Sequence, residues 1–187
     1  MATLRQLARS ELPSLGWPTA DVEQRLRRLH GADLIEKQGG PYTRDATPGE
    51  LALLLLSLAS PRAVDAATYA SRFAALRLWR ENRATKVTLR DELTRLLEAP
   101  SAAEPIEALH LSRTEPLAWL DMQASDGDER TRIFQPVRRS SRPSFAISVN
   151  VRVSGVVLSQ LALDLQEPDE SGEWTSHFAE EGGDGTK

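Results

Sequence analysis

The sequence predicts an α+β fold: a mainly helical first half, then a small antiparallel β-sheet module with one helix and an acidic flexible tail. Helix-start signals recur ahead of leucine- and alanine-rich stretches at Thr19, Thr47-Pro48, Ser60-Pro61 and Thr88. A hydroxyl there caps free N–H groups, and proline fits a first helical turn. From Phe145 to Val153, Phe145, Ile147, Val149, Val151 and Val153 alternate with Ala146, Ser148, Asn150 and Arg152. That is the period of a strand with one buried and one wet face. After Gln166 the composition is acidic and patternless, too poor in apolar groups to pack.

In chain order, Thr3 is the expected N-cap of a short helix to Ser10 carrying Leu4, Leu7 and Ala8. Pro13, Gly16 and Pro18 break it. A second helix runs from Thr19 as N-cap to about His30, with Gly31 as its stop. Leu34-Ile35 begins an extended segment, and Gly39-Gly40-Pro41 turns the chain back through Tyr42-Thr43. The helix opened by Thr47-Pro48 is apolar nearly all round from Leu51 to Leu58 and belongs at the centre of the core. A further helix is expected from Arg62 to about Arg80, and another from Thr88, capped with Asp91 or Glu92, to about Glu98. Pro100 to Pro105 reads as a linker. Strands are expected over Glu107 to Leu111, Leu117 to Met122, Thr131 to Gln135 and Phe145 to Val153. Ser125 to Glu129 reads as an acidic connection, and Ser154-Gly155 opens a helix bearing Val157, Leu158, Leu161, Ala162 and Leu165. These readings divide the chain into a helical domain over 1–99, an α+β module over 106–166 and a tail over 167–187.

Composition narrows the function classes. There is no Cys, which removes disulfides and thiolate metal sites and suits a reducing compartment. The longest apolar run, Leu51 to Ala59, is far short of the ~20 residues of a membrane-spanning helix. No secretory leader is visible, so a cytoplasmic protein without membrane contact is expected. The formal net charge of −4 is uneven: the tail from Gln166 has seven acids against Lys187 alone, a net of −6, leaving the body at +2. Phosphate binding responds to local patches rather than to that global sum.

The segments TLRQLA and TADVEQRLRRLHGADLIEK, followed by the Gly39-Gly40 turn with Tyr42 and Arg44, resemble the winged helix-turn-helix family in their order. The resemblance covers Thr3 to Thr47 and implies a winged-helix-like N-terminal domain. In that family one helix crosses the DNA backbone, the next enters the major groove, and a hairpin wing touches phosphate or the minor groove. It implies double-stranded DNA as partner, with Thr19, Gln24, Arg25 and Arg28 on the DNA-facing side. Lys37, Tyr42 and Arg44 would make the wing contacts. Arginine pairs with guanine and glutamine with adenine through bidentate hydrogen bonds. Asp21 and Glu23 bring negative charge to the start of the same helix.

Two further basic groups stand out. Arg72, Arg77, Arg80, Arg83, Lys86 and Arg90 form a basic stripe that could extend a phosphate-binding surface. Arg138, Arg139 and Arg142 form a patch before the best strand. The stretch ISVNVRVSGVVLSQLALDL is also similar to the strand and first helix of a ribbon-helix-helix repressor, with Asn150 and Arg152 as readers. An edge strand of an α+β domain is the better account of it.

No catalytic site, metal or cofactor is expected. His30, His110 and His177 are far apart in sequence, and neither a phosphate-binding glycine loop nor a Gly-x-Ser-x-Gly elbow occurs. The function expected is that of a winged-helix transcriptional regulator, its second module used for homo-oligomerisation or a protein partner. The alternatives are a DNA-packaging adaptor resembling a phage small terminase subunit, and a protein-binding module without DNA affinity.

Overall fold

The computed structural model describes residues 3–9, 11–14, 16–36, 45–80, 83–103, 105–123, 129–137 and 149–166. The chain begins with α1 (Leu4–Arg9), α2 (Glu11–Ser14) and α3 (Thr19–Gly31). Thr3 caps α1 reciprocally: its hydroxyl accepts from Gln6 N–H at 3.1 Å, and Gln6 Oε1 accepts from Thr3 N–H at 2.7 Å. At α3 the expected cap shifts by one residue. Pro18 is the N-cap and Thr19 the first helical residue, and the Pro18 carbonyl accepts from Asp21 and Val22 N–H.

The next helix, α4 (Pro48–Ser57), is buried from Glu50 to Ser57, as its all-round apolar sequence demands. Thr47 and Glu50 form a capping box, with Pro48 in the first turn. After a 3-10 turn (Ala63–Asp65), α5 (Ala66–Ala74) ends well short of the expected Arg80. The chain instead enters a hairpin of β1 (Arg77–Arg80) and β2 (Arg83–Thr88). Leu76 and Leu78 are buried while Arg77 and Trp79 are not. The period is therefore two at this point, and pairing of β1 with β5 overrides the helical spacing that can be drawn through the same residues. Thr88 then caps α6 (Leu89–Glu98) in a box with Asp91.

Pro100–Ala103 forms a short helix, α7, and Ala103 is buried, so the expected linker is part of the packed body. The strands β3 (Ile106–Ser112), β4 (Ala118–Gln123), β5 (Glu129–Gln135) and β6 (Asn150–Ser154) follow close to their expected places, then α8 (Gly155–Gln166). Residues 145–148 of the expected last strand lie outside the described residues.

All six strands form one antiparallel sheet in the order β2-β1-β5-β4-β3-β6. The hairpin at 77–88 and the strands from 106 onward share that sheet, and one hydrophobic cluster runs from Leu4 to Leu165. The expected boundary at 100–105 therefore falls inside a single core. The α+β class holds; the turn expected at Gly39-Gly40-Pro41 and its return through Tyr42-Thr43 lie outside the described residues. Leu34 and Ile35 lie in a bend, not a strand, with Ile35 buried.

Helices cover one face of the sheet. Leu78, Phe134, Ala118, Leu111 and Val151 form one buried row across β1, β5, β4, β3 and β6. Leu120, Leu109 and Val153 form the next. Against this face α8 packs on β3 and β6 while α6 packs on β2. Glu92 on α6 ties the layers together, since its buried carboxylate accepts from Arg132 of β5 and, at 2.9 Å, from Arg95. Gly155 permits the turn from β6 into α8: a Cβ there would lie 1.5 Å from the Ile106 carbonyl oxygen.

Candidate functional site

The helix α3 buries Val22, Leu26 and Leu29 and exposes Gln24, Arg27 and Arg28. Of the four residues expected on its DNA-facing side, Gln24 and Arg28 are exposed and Thr19 is half-buried. Arg25 is a correction: it is 2% exposed and its donors are committed inside the protein. Its Nε donates to Asp21 Oδ2 at 2.7 Å, while Nη1 and Nη2 reach the carbonyls of Ser57 and Ser60 at 2.6 and 3.1 Å. Trp17 lies under its guanidinium, 5.9 Å from the ring centre. A cation there meets carbonyls at and just past the C-terminal end of α4, where the helix dipole favours positive charge. Asp21, expected to oppose phosphate, is instead the partner of Arg25.

Glu23 is similarly accounted for. Arg9 of α1 donates to its carboxylate at 2.7 Å, which holds the carboxyl below its usual range. The charges of Arg5 and Arg27 act in the same direction. Thus Arg5, Arg9 and Arg27 gather around one acid, beside the exposed Gln24 and Arg28. Arg5 and Arg9 sit four residues apart on α1, so both emerge on one side of that helix. That spacing was the available signal for including them.

The remaining basic residues are placed unevenly. Lys37, Tyr42 and Arg44, and likewise Arg138, Arg139 and Arg142, lie outside the described residues. The stripe does not follow one helix: Arg72 is on α5, Arg77, Arg80, Arg83 and Lys86 are on the β1–β2 hairpin, and Arg90 is on α6. Asn150 and Arg152 are exposed on β6, an edge strand paired with β3.

The sheet face away from the helices carries a row that no linear motif discloses. Trp79, Ile133, Trp119, His110 and Arg152 are consecutive cross-strand neighbours on β1, β5, β4, β3 and β6. His110 and Trp119 stack with ring centres 4.8 Å apart and planes within 3°. His110 Nε2 lies 3.1 Å from Asp121 Oδ2, and Asp121 also accepts from the Thr131 hydroxyl. Ile133 is 44% exposed, whereas Trp79 Nε1 is buried without an acceptor among the described residues.

A cleft of about 580 Å³ joins the start of α3 to the Arg152 end of this row. Trp17, Asp21 and Arg25 line one side, and Arg113, Asn150 and Arg152 line the other. Among the described residues no carboxylate pairs with Arg113 or Arg152, and no group of three or more potential metal ligands occurs. None of their helices is long and apolar enough to cross a membrane.

No family model, curated protein or solved structure matches this chain. The winged-helix resemblance therefore rests on its own residues.

Proposed function

We propose that this chain is a DNA-binding protein that docks on duplex DNA through the exposed face of α1 and α3. The observation that carries this reading is the gathering of Arg5, Arg9 and Arg27 around Glu23, beside exposed Gln24 and Arg28. Three arginines from two packed helices act on one carboxylate, with Arg28 exposed on the same α3, a local excess that attracts phosphate despite the negative total charge. Gln24 and Arg28, one helical turn apart, supply the side-chain types that read adenine and guanine. Arg5, Arg9 and Arg27 supply backbone contacts, which position the helix without selecting sequence. Arg25 contributes indirectly by anchoring α3 to the end of α4, so the reading face is held on a rigid element.

Sequence-selective regulation is the use we assign to this surface, by analogy of helix order with DNA-binding regulators. Selection of bound sequences from a random duplex library tests it. Enrichment of a motif that is relaxed by Gln24→Ala or Arg28→Ala supports it; recovery of unselected sequence contradicts it.

A further inference from the structure

We infer that the sheet face carrying Trp79, Trp119 and His110 is a second nucleic-acid surface, one that stacks the bases of single-stranded DNA. Two tryptophans and a histidine in one cross-strand row, on the face opposite the helices, are what base stacking requires. Every base offers a π-face, so such a row binds with little regard to sequence. From Trp79 to Arg152 the row crosses four strand-to-strand steps, roughly 19 Å at the usual strand spacing, room for several nucleotides.

Charge complementarity identifies the occupant. Lys86 is exposed on β2, the strand beside that of Trp79 at one end of the row, in the stretch where the β1–β2 register shifts. Arg152 is exposed at the other, and Arg113 lines the same side of the cleft. Asp121, an acid on this face, is engaged by His110 and Thr131. Basic groups at both ends of an aromatic row suit a polyanion laid across the strands. A purely apolar protein partner would leave those cations without counter-charges.

The choice of DNA over RNA rests on the duplex-binding reading, because the cleft connects this row to the start of α3. The two surfaces are nevertheless separable, since their residues do not overlap.

The test uses the whole chain and a fluorescently labelled oligodeoxythymidylate of about eight nucleotides, within the range of known single-strand sites, titrated at low salt. Tryptophan fluorescence should be quenched as the labelled strand's anisotropy rises. Trp119→Leu should weaken binding about tenfold or more, as loss of a stacking partner does elsewhere, whereas Trp119→Phe should retain most of it. Arg152→Glu and Lys86→Glu should each weaken binding and flatten its salt dependence. Thermal melting of each variant separates these effects from unfolding. Unchanged affinity in a folded Trp119→Leu, or no binding at low salt, overturns the inference. Tighter binding of the matching oligouridylate overturns the assignment to DNA. Self-association that Trp119→Leu abolishes would mark the face as a protein interface and overturn it as well. Arg27→Ala with Arg28→Ala should leave single-strand binding unchanged, so failure of either surface can be told from failure of the other.

Discussion

Arg25 Nη1 donates to the carbonyl of Ser57 at 2.6 Å, joining the middle of α3 to the last turn of α4. The same guanidinium reaches Ser60 and Asp21, so one of the side chains expected on the DNA-facing side is an internal brace. Its removal takes the side-chain donor from the Ser60 carbonyl and from the Ser57 carbonyl, which keeps the Ser60 N–H, and leaves Asp21 without its cation. Arg25→Ala should cost about 2–4 kcal/mol, the range for losing buried hydrogen bonds to a charged group. Arg25→Lys should recover only part, because an ammonium cannot reproduce the planar fork. Denaturant unfolding measures both, and stability equal to the parent's would contradict the bracing role.

Gly155 marks a second site of strict local demand. With the Ile106 carbonyl 1.5 Å from where a Cβ would stand, Gly155→Ala forces β3 and α8 apart. Loss of roughly 3 kcal/mol is expected, at the upper end for overpacking. A melting temperature unchanged by this substitution would mean that the β6–α8 turn is looser than described.

The unity of the sheet gives a prediction about fragments. A piece comprising residues 1–99 retains β1 and β2 but loses β5, the strand that pairs with β1, and α8, which packs on α6. It should show no cooperative unfolding transition. A sharp, reversible transition in that fragment would restore an independent helical domain.

How much of this was legible in the sequence depends on the range of the interactions involved. Thr47 with Glu50, Thr88 with Asp91, and the alternation ending at Val151 and Val153 are local patterns, and each is found close to where it was expected. The hairpin at Arg77–Thr88 was missed because Phe73, Leu76 and Trp79 also fit a helical spacing. The deciding contact, β1 against β5, lies more than fifty positions away in sequence. Arg25 was misplaced for a related reason: a helix face can be drawn through Gln24, Arg25 and Arg28, but Ser57 and Ser60 come from another element. The row from Trp79 to Arg152 could not be read at all, because each member sits on a different strand and only the register assembles it.

Glu23 offers a test of charge at the α1–α3 surface. Its carboxyl is held below its usual range by the hydrogen bond and charge of Arg9. A group whose folded pKa is depressed adds stability that is complete above its unfolded value and is lost as pH falls through the folded one. For this exposed group that contribution is small. Glu23→Gln should therefore scarcely alter melting at neutral pH, yet tighten duplex binding a few-fold at low salt by freeing Arg9. Weaker binding in this variant would make Glu23 a reader of DNA, not a competitor for its phosphates.

The central claim is that α1 and α3 bind duplex DNA, and a titration of the whole chain with labelled duplex at increasing salt tests it most directly. We expect log K to fall linearly with log salt. Replacing Arg27 and Arg28 together by alanine should reduce the slope by nearly 2 if both contact phosphate, at about 0.9 per contact, and by less to the extent that Arg28 reads a base, while the melting temperature stays near that of the parent. Absence of binding at low salt, or binding indifferent to both substitutions, would contradict it.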